Sequence, residues 1–199
     1  MKTLRPRSPA IVGIVVACIS ASGVAAYAAA SSAGEPAASQ VEQFTKVAPG
    51  PGRALRESHL TASNATPAFS LRDGSTVSTV TSGATSCLVR SVQGHDGATC
   101  ASPAGIAEGH GISVSDECGA GGDNRMEIIG LAPKGAQNAI LRSSDGTTES
   151  TPVVSGAFMF EGTNPAPGTP HPSTVEWLGA SGGTLGAAGL PVKGGNFCS

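Results

Sequence analysis

The sequence predicts a mainly β fold: a small antiparallel sandwich or barrel-like domain stapled by disulfides, preceded by an N-terminal hydrophobic helix and a linker. Three observations predict it. From Phe69 onward, short β-branched and aromatic runs recur roughly every eight to twelve residues with turn residues between them. Four cysteines lie beyond an apolar, export-type start. Gly (28) and Pro (14) are abundant while charged residues are only 13 %, which argues against a charge-laced helical bundle.

Residues 1–30 open with Lys2, Arg5 and Arg7 and run on through Ile11-Val12-Gly13-Ile14-Val15-Val16-Ala17-Cys18-Ile19. A basic start, an apolar core and small residues at a cut site form a secretory signal peptide. Ala26-Tyr27-Ala28 and Ala28-Ala29-Ala30 both offer the cut. Residues 10–30 carry no charge, and about 20 such residues span a bilayer, so an uncut single-span signal anchor is equally open. Val15-Val16-Ala17-Cys18 also resembles a bacterial lipobox with Cys18 lipidated, although the residues after Cys18 stay apolar. All three readings put the rest of the chain outside the cell or on its surface, because the positive end stays in the cytoplasm.

Residues 31–68 are rich in Ala, Ser, Pro and Gly and contain the breaker cluster Ala48-Pro49-Gly50-Pro51-Gly52. They read as a tether, with a short helix over residues 37–47. Asn64-Ala65-Thr66 is an N-x-T triplet, read as an ordinary loop.

Residues 69–199 form the β-rich domain. Phe69–Arg72 and Ser75–Val80 alternate about a two-residue Asp73-Gly74 turn. Ser86–Val92 is the next strand, and Gly94-His95-Asp96-Gly97 the turn after it. Ile112–Ser115 is short, and Arg125–Leu131 is a strand with one charged face. Ala136–Arg142 and Thr147–Val154 flank Ser143-Ser144-Asp145-Gly146. Ala157–Glu161 and Thr174–Leu178 complete the set. Trp177, the sole Trp, falls on a strand and is expected in the core.

Cys87, Cys100, Cys118 and Cys198 are an even set, as expected of two disulfides in an exported chain. A hairpin between Cys87 and Cys100 brings those sulfurs together, which leaves Cys118 with Cys198. There is no C-x-x-C pair, so the set does not read as a zinc site.

Cys87-Leu88-Val89, Gly130-Leu131-Ala132-Pro133-Lys134-Gly135, Ala139-Ile140-Leu141-Arg142, Asp145-Gly146-Thr147, Pro152-Val153-Val154 and Phe158 occur in an order that resembles uncharacterised exported β-rich proteins of high-GC actinobacteria. The resemblance covers residues 87–160. It implies an extracytoplasmic β-rich domain and carries no activity.

The chemistry-bearing patterns are sparse. A net charge of −2 and 4 % aromatics give no nucleic-acid footprint. Gly179-Ala180-Ser181-Gly182-Gly183 matches the nucleophile elbow G-x-S-x-G, but the triad needs Asp or Glu and then His further on. None follows Ser181, so the pentad reads as a Gly-rich loop. Cys118-Gly119-Ala120-Gly121-Gly122-Asp123-Asn124 lacks the Lys and Ser/Thr of a phosphate loop and reads as a connection. Asn164–Pro172 is Pro-rich, a stiff loop or a polyproline ligand. His59 and His171 read as solvated. His95 and His110, with Asp96 or Asp116, would suit a base and its orienter or a metal site.

The leading expectation is therefore a non-catalytic extracytoplasmic binding or structural domain, secreted or held to the membrane by residues 10–30. It calls for no cofactor and no nucleic acid, and its partner is an extracytoplasmic protein or cell-envelope component. The alternative is a small secreted hydrolase or metal-dependent enzyme using His95 and His110 with Asp96 or Asp116.

Overall fold

The computed structural model describes residues 64–83, 85–92, 95–118, 124–166 and 168–190. They form eleven strands and one short helix: β1 (Ala65–Ser70), β2 (Thr76–Ser82), β3 (Thr85–Val92), β4 (His95–Ala101), α1 (Pro103–Ala107), β5 (Ile112–Cys118), β6 (Asn124–Leu131), β7 (Ala136–Ser143), β8 (Thr148–Pro152), β9 (Ala157–Thr163), β10 (Pro172–Gly179) and β11 (Thr184–Gly189). The mainly β, antiparallel expectation holds. The strands divide into three sheets, ordered β1-β2-β3-β4, β5-β6-β9 and β11-β10-β7-β8.

The middle sheet is covered on both faces. Ile128, Ile129, Gly130 and Leu131 of β6 are all buried, as are Ala157, Phe158, Met159 and Phe160 of β9. A continuous buried run is what an interior strand requires, because successive side chains point to opposite faces. Met126, Ile128, Phe158 and Phe160 pack against Ala139, Leu141, Val175 and Trp177 of the third sheet. Ile129, Leu131, Ala157 and Met159 pack against Val77 and Leu88 of the first sheet and Ile106 of α1. Phe158 lies edge-on to both Phe160 and Trp177, with ring centroids 5.9 and 6.4 Å away. This geometry suits the aromatic quadrupole.

The Asp73-Gly74 turn differs from the expected two-residue type. Leu71 N–H donates to Ser75 C=O at 2.8 Å and Gly74 N–H to Leu71 C=O at 3.1 Å. That pair closes a three-residue loop with Gly74 left-handed at φ 81°. Asp73 extends the loop because its Oδ1 accepts from the Ser75 N–H at 2.8 Å, an Asx turn. Asp145-Gly146-Thr147 repeats the arrangement, with Thr147 N–H to Asp145 Oδ1 at 3.0 Å and Gly146 at φ 86°.

Other boundaries move as well. β1 begins at Ala65, inside the stretch that composition assigns to the tether. Val92 pairs with His95, so His95 and Asp96 belong to β4 and not to the turn. α1 and β11 go beyond the expected elements. α1 is one turn, capped by the Ser102 hydroxyl, which accepts from Gly105 N–H at 3.1 Å.

Cys87 and Cys100 stand directly opposite each other on β3 and β4 and are disulfide-bonded. Disulfides persist in oxidising compartments, so the bridge points to an extracytoplasmic setting. The Cys118 side chain and Cys198, the other expected pair, lie outside the described residues. Among the described residues no helix is long and apolar enough to cross a membrane, and residues 1–63, with the expected hydrophobic helix and all of the expected linker before residue 64, lie outside them.

Candidate functional site

The apolar layer between the first and middle sheets ends in charge. Along the shared face of β6 and β9 the cross-strand pairs run Leu131–Ala157, Ile129–Met159, Glu127–Glu161 and Arg125–Thr163. The first sheet answers with Arg90 from β3 and with Arg72 and Asp73 from the β1–β2 loop. Arg90 donates one guanidinium nitrogen to Glu127 at 2.7 Å and the other to Asp73 at 3.1 Å. Arg72 Nε lies 3.2 Å from a Glu161 oxygen. Ser115 on β5 completes the rim, its hydroxyl 3.5 Å from Glu127.

These side chains border a cleft of about 290 Å³, lined also by Leu71, Met126 and Gly162. The volume sits at the lower limit of small-molecule sites, about 300 Å³. Burial pushes the Asp73 carboxyl up, but the Ser75 hydroxyl, the Ser75 N–H and the Arg90 guanidinium outweigh it and hold it below its ordinary range. Arg90 Nε–H is buried without an acceptor among the described residues. Arg125 borders the cleft, is exposed, and forms no ion pair among the described residues; Glu117, whose side chain lies outside them, is its neighbour on β5. Two strands of the middle sheet, β3 and the β1–β2 turn therefore present both signs of charge to one small space. Such a surface can orient a ligand. Among the described residues no group of three or more His, Cys, Asp or Glu is placed to hold a metal.

Of the residues singled out by sequence, His110 is exposed in the turn after α1, its Nε2 3.7 Å from Glu108. His95 and Asp96 open β4, pairing with Val92 and Ser91, and Asp116 sits on β5 opposite Met126. The side chains of His95, Asp96 and Asp116 lie outside the described residues. Along the chain, β4 and α1 separate His95 from His110. His59 is also outside the described residues.

The G-x-S-x-G pentad is the β10–β11 turn. Gly179 N–H donates to Gly183 C=O and Gly182 N–H to Gly179 C=O, both at 2.9 Å, with Gly182 at φ 78°. It repeats the Asp73 loop, with Ser181 at the Asp position. In the Pro-rich segment Thr169 N–H closes on Ala166 C=O at 3.1 Å, and Ser144 N–H holds His171 C=O at 2.9 Å. The described residues between β9 and β10 are loop. Trp177 is fully buried, as expected of a core residue.

The cleft residues were missed because each looks like an ordinary solvated charge in its own strand or turn. The one available signal was on β6, where Arg125 and Glu127 precede Ile129 and Leu131 on a single face, so that face changes from charged to apolar midway. No family model, curated protein or solved structure matches the chain.

Proposed function

We propose that the chain is a non-catalytic binding domain that works outside the cytoplasm, secreted or held at the membrane by residues 10–30, and that the cleft between its first and middle sheets is where it binds. The observation that carries the reading is the meeting of Arg90, Asp73, Glu127, Arg72 and Glu161 at the edge of that cleft. Their charges are engaged with one another across two sheets, which fixes the walls and presents polar atoms in set positions. Preorganised walls lower the cost of ordering a ligand site. The Cys87–Cys100 bridge and the resemblance to exported proteins support the location.

The location is tested on intact cells of the native host, using a membrane-impermeant amine reagent followed by thiol alkylation. The expected result is a surface- or medium-located chain with Cys87 and Cys100 refractory to alkylation until reduced. A cytosolic chain with both thiols free would overturn the reading.

A further inference from the structure

We infer that the cleft takes a small zwitterion, a free amino acid or short peptide whose ammonium meets the Glu127 and Glu161 row and whose carboxylate meets Arg125. This deepens the binding reading above and rests on it.

The argument begins with spacing. Glu127 and Arg125 lie two apart on β6, so they share a face, and two residues of strand advance about 7 Å. Glu161 and Thr163 repeat that step on β9. The floor thus presents a row of two carboxylates and, one pleat further out, a guanidinium beside a hydroxyl-bearing side chain.

The two rows differ in what they still offer. Glu127 accepts from Arg90 and lies within reach of the Ser115 hydroxyl, and Glu161 pairs with Arg72, so neither carboxylate is without partners. An ionised carboxylate has about four lone-pair sites, so either one can also receive an ammonium. Arg125 carries five N–H donors, is exposed, and makes no ion pair among the described residues. It is the cation of the cleft best placed to receive an incoming carboxylate, and planar guanidinium recognises that group with two parallel bonds.

The balance of charge favours a ligand that carries both signs. A purely anionic molecule would face Glu127, Glu161 and Asp73, and a purely cationic one would face Arg72, Arg90 and Arg125. A molecule with both charges a few ångströms apart meets complementary partners at each end. The volume of about 290 Å³ suits a ligand of that size.

The test is titration of the isotope-labelled full chain, followed by amide shifts, with four probes: dialanine, N-acetyl-dialanine, dialanine amide and acetate. The expected result is saturable movement of the Ser115, Glu127 and Gly162 signals with dialanine. Blocking either end should weaken binding about tenfold, the effect of losing one charge-assisted contact. Arg125→Ala should weaken dialanine about tenfold and leave dialanine amide unchanged, with an unaltered melting curve because Arg125 is exposed. If the blocked probes or acetate move the same signals as strongly as dialanine, the zwitterion assignment falls while the cleft stands as a binding site. If no probe moves them, both readings fall.

Discussion

Glu127 and Glu161 face each other directly across β6 and β9, two carboxylates on one side of one sheet. Like charges so placed destabilise a sheet. The cost is offset from the facing sheet, where Arg90 reaches Glu127 and Arg72 reaches Glu161. The pairs therefore clamp the first sheet to the middle one at the point where the apolar layer stops.

Arg90 is the stronger half of this clamp. Its side chain is 29 % exposed and that of Glu127 17 %, so the pair is screened less than a surface bridge. Arg90→Met should cost about 1.5–3 kcal/mol, the range for hydrogen bonds to charged groups. Glu127→Gln in the same background should cost little more, giving a coupling of about 0.5–3 kcal/mol in a double-mutant cycle. Urea midpoints of the four proteins measure it. Additive losses would mean that the two side chains are not coupled.

Acid should loosen the same corner. Burial raises the Asp73 pKa, but the Ser75 hydrogen bonds and Arg90 lower it further, so in the folded state it lies below its ordinary 3.8. A depressed carboxyl contributes stability above its unfolded pKa and loses it as pH falls through the folded one. Asp145, held down by the Thr147 hydroxyl and N–H, and Glu176, held down by the Thr184 hydroxyl and Arg142, act in the same direction. Glu149, exposed on β8, is shifted the other way by partial desolvation. Urea midpoints should be nearly level at neutral pH and drop below about pH 4. Asp73→Asn should start lower and fall less steeply, and an acid slope equal to that of the native protein would remove Asp73 from the account.

Gly130 is a packing requirement. It pairs with Phe158 across β6 and β9, and a Cβ built on it would overlap the Phe158 ring. Phe158 is fully buried and lies edge-on to both Phe160 and Trp177, so a shift of its ring disturbs those contacts. Gly130→Ala should therefore cost about 1–3 kcal/mol through overpacking. Unfolding followed by Trp177 fluorescence reads it. A native midpoint would show that the ring yields.

Where local chemistry decides, the sequence was legible. Asp73-Gly74 and Asp145-Gly146 mark hairpins because Asp bonds the backbone two residues on and Gly accepts a positive φ. Cys87 and Cys100 meet because β3 and β4 pair in register. β11 carries no strand signal of its own, since Leu185-Gly186-Ala187-Ala188-Gly189 has no alternation of large apolar and polar residues; it is a strand because β10 offers it an edge. The sequence does not distinguish the loop length at Asp73, because an Asp-Gly pair suits both the two-residue turn and the bulged three-residue one. The cleft was out of reach, since Arg90 and Glu127 are 37 residues apart and neither strand names its neighbour in the next sheet.

Ser155 is where the three sheets are joined, and it gives the sharpest local test. The chain leaves β8 in the third sheet and enters β9 in the middle one through Ser155-Gly156. Val154 and Ala157 exchange backbone hydrogen bonds of 2.8 and 2.9 Å around that pair. Both loop residues are left-handed, at φ 52° and 78°, as a two-residue hairpin turn requires. Ser155 then reaches the first sheet twice. Its hydroxyl donates to Pro67 C=O at 2.9 Å, beside the β1 irregularity, and its own C=O accepts from Thr79 Oγ1 at 2.9 Å. Ser155→Ala keeps the strained backbone and loses the Pro67 bond, a cost of about 1 kcal/mol. Ser155→Gly loses the same bond but releases the left-handed strain, about 1–2 kcal/mol for a residue with a Cβ. Gly should thus lie near the native midpoint and above Ala by about 1 kcal/mol. Equal midpoints for Ala and Gly would mean that the turn carries no strain, and a native midpoint for Ala would mean that the hydroxyl bond adds nothing to the junction.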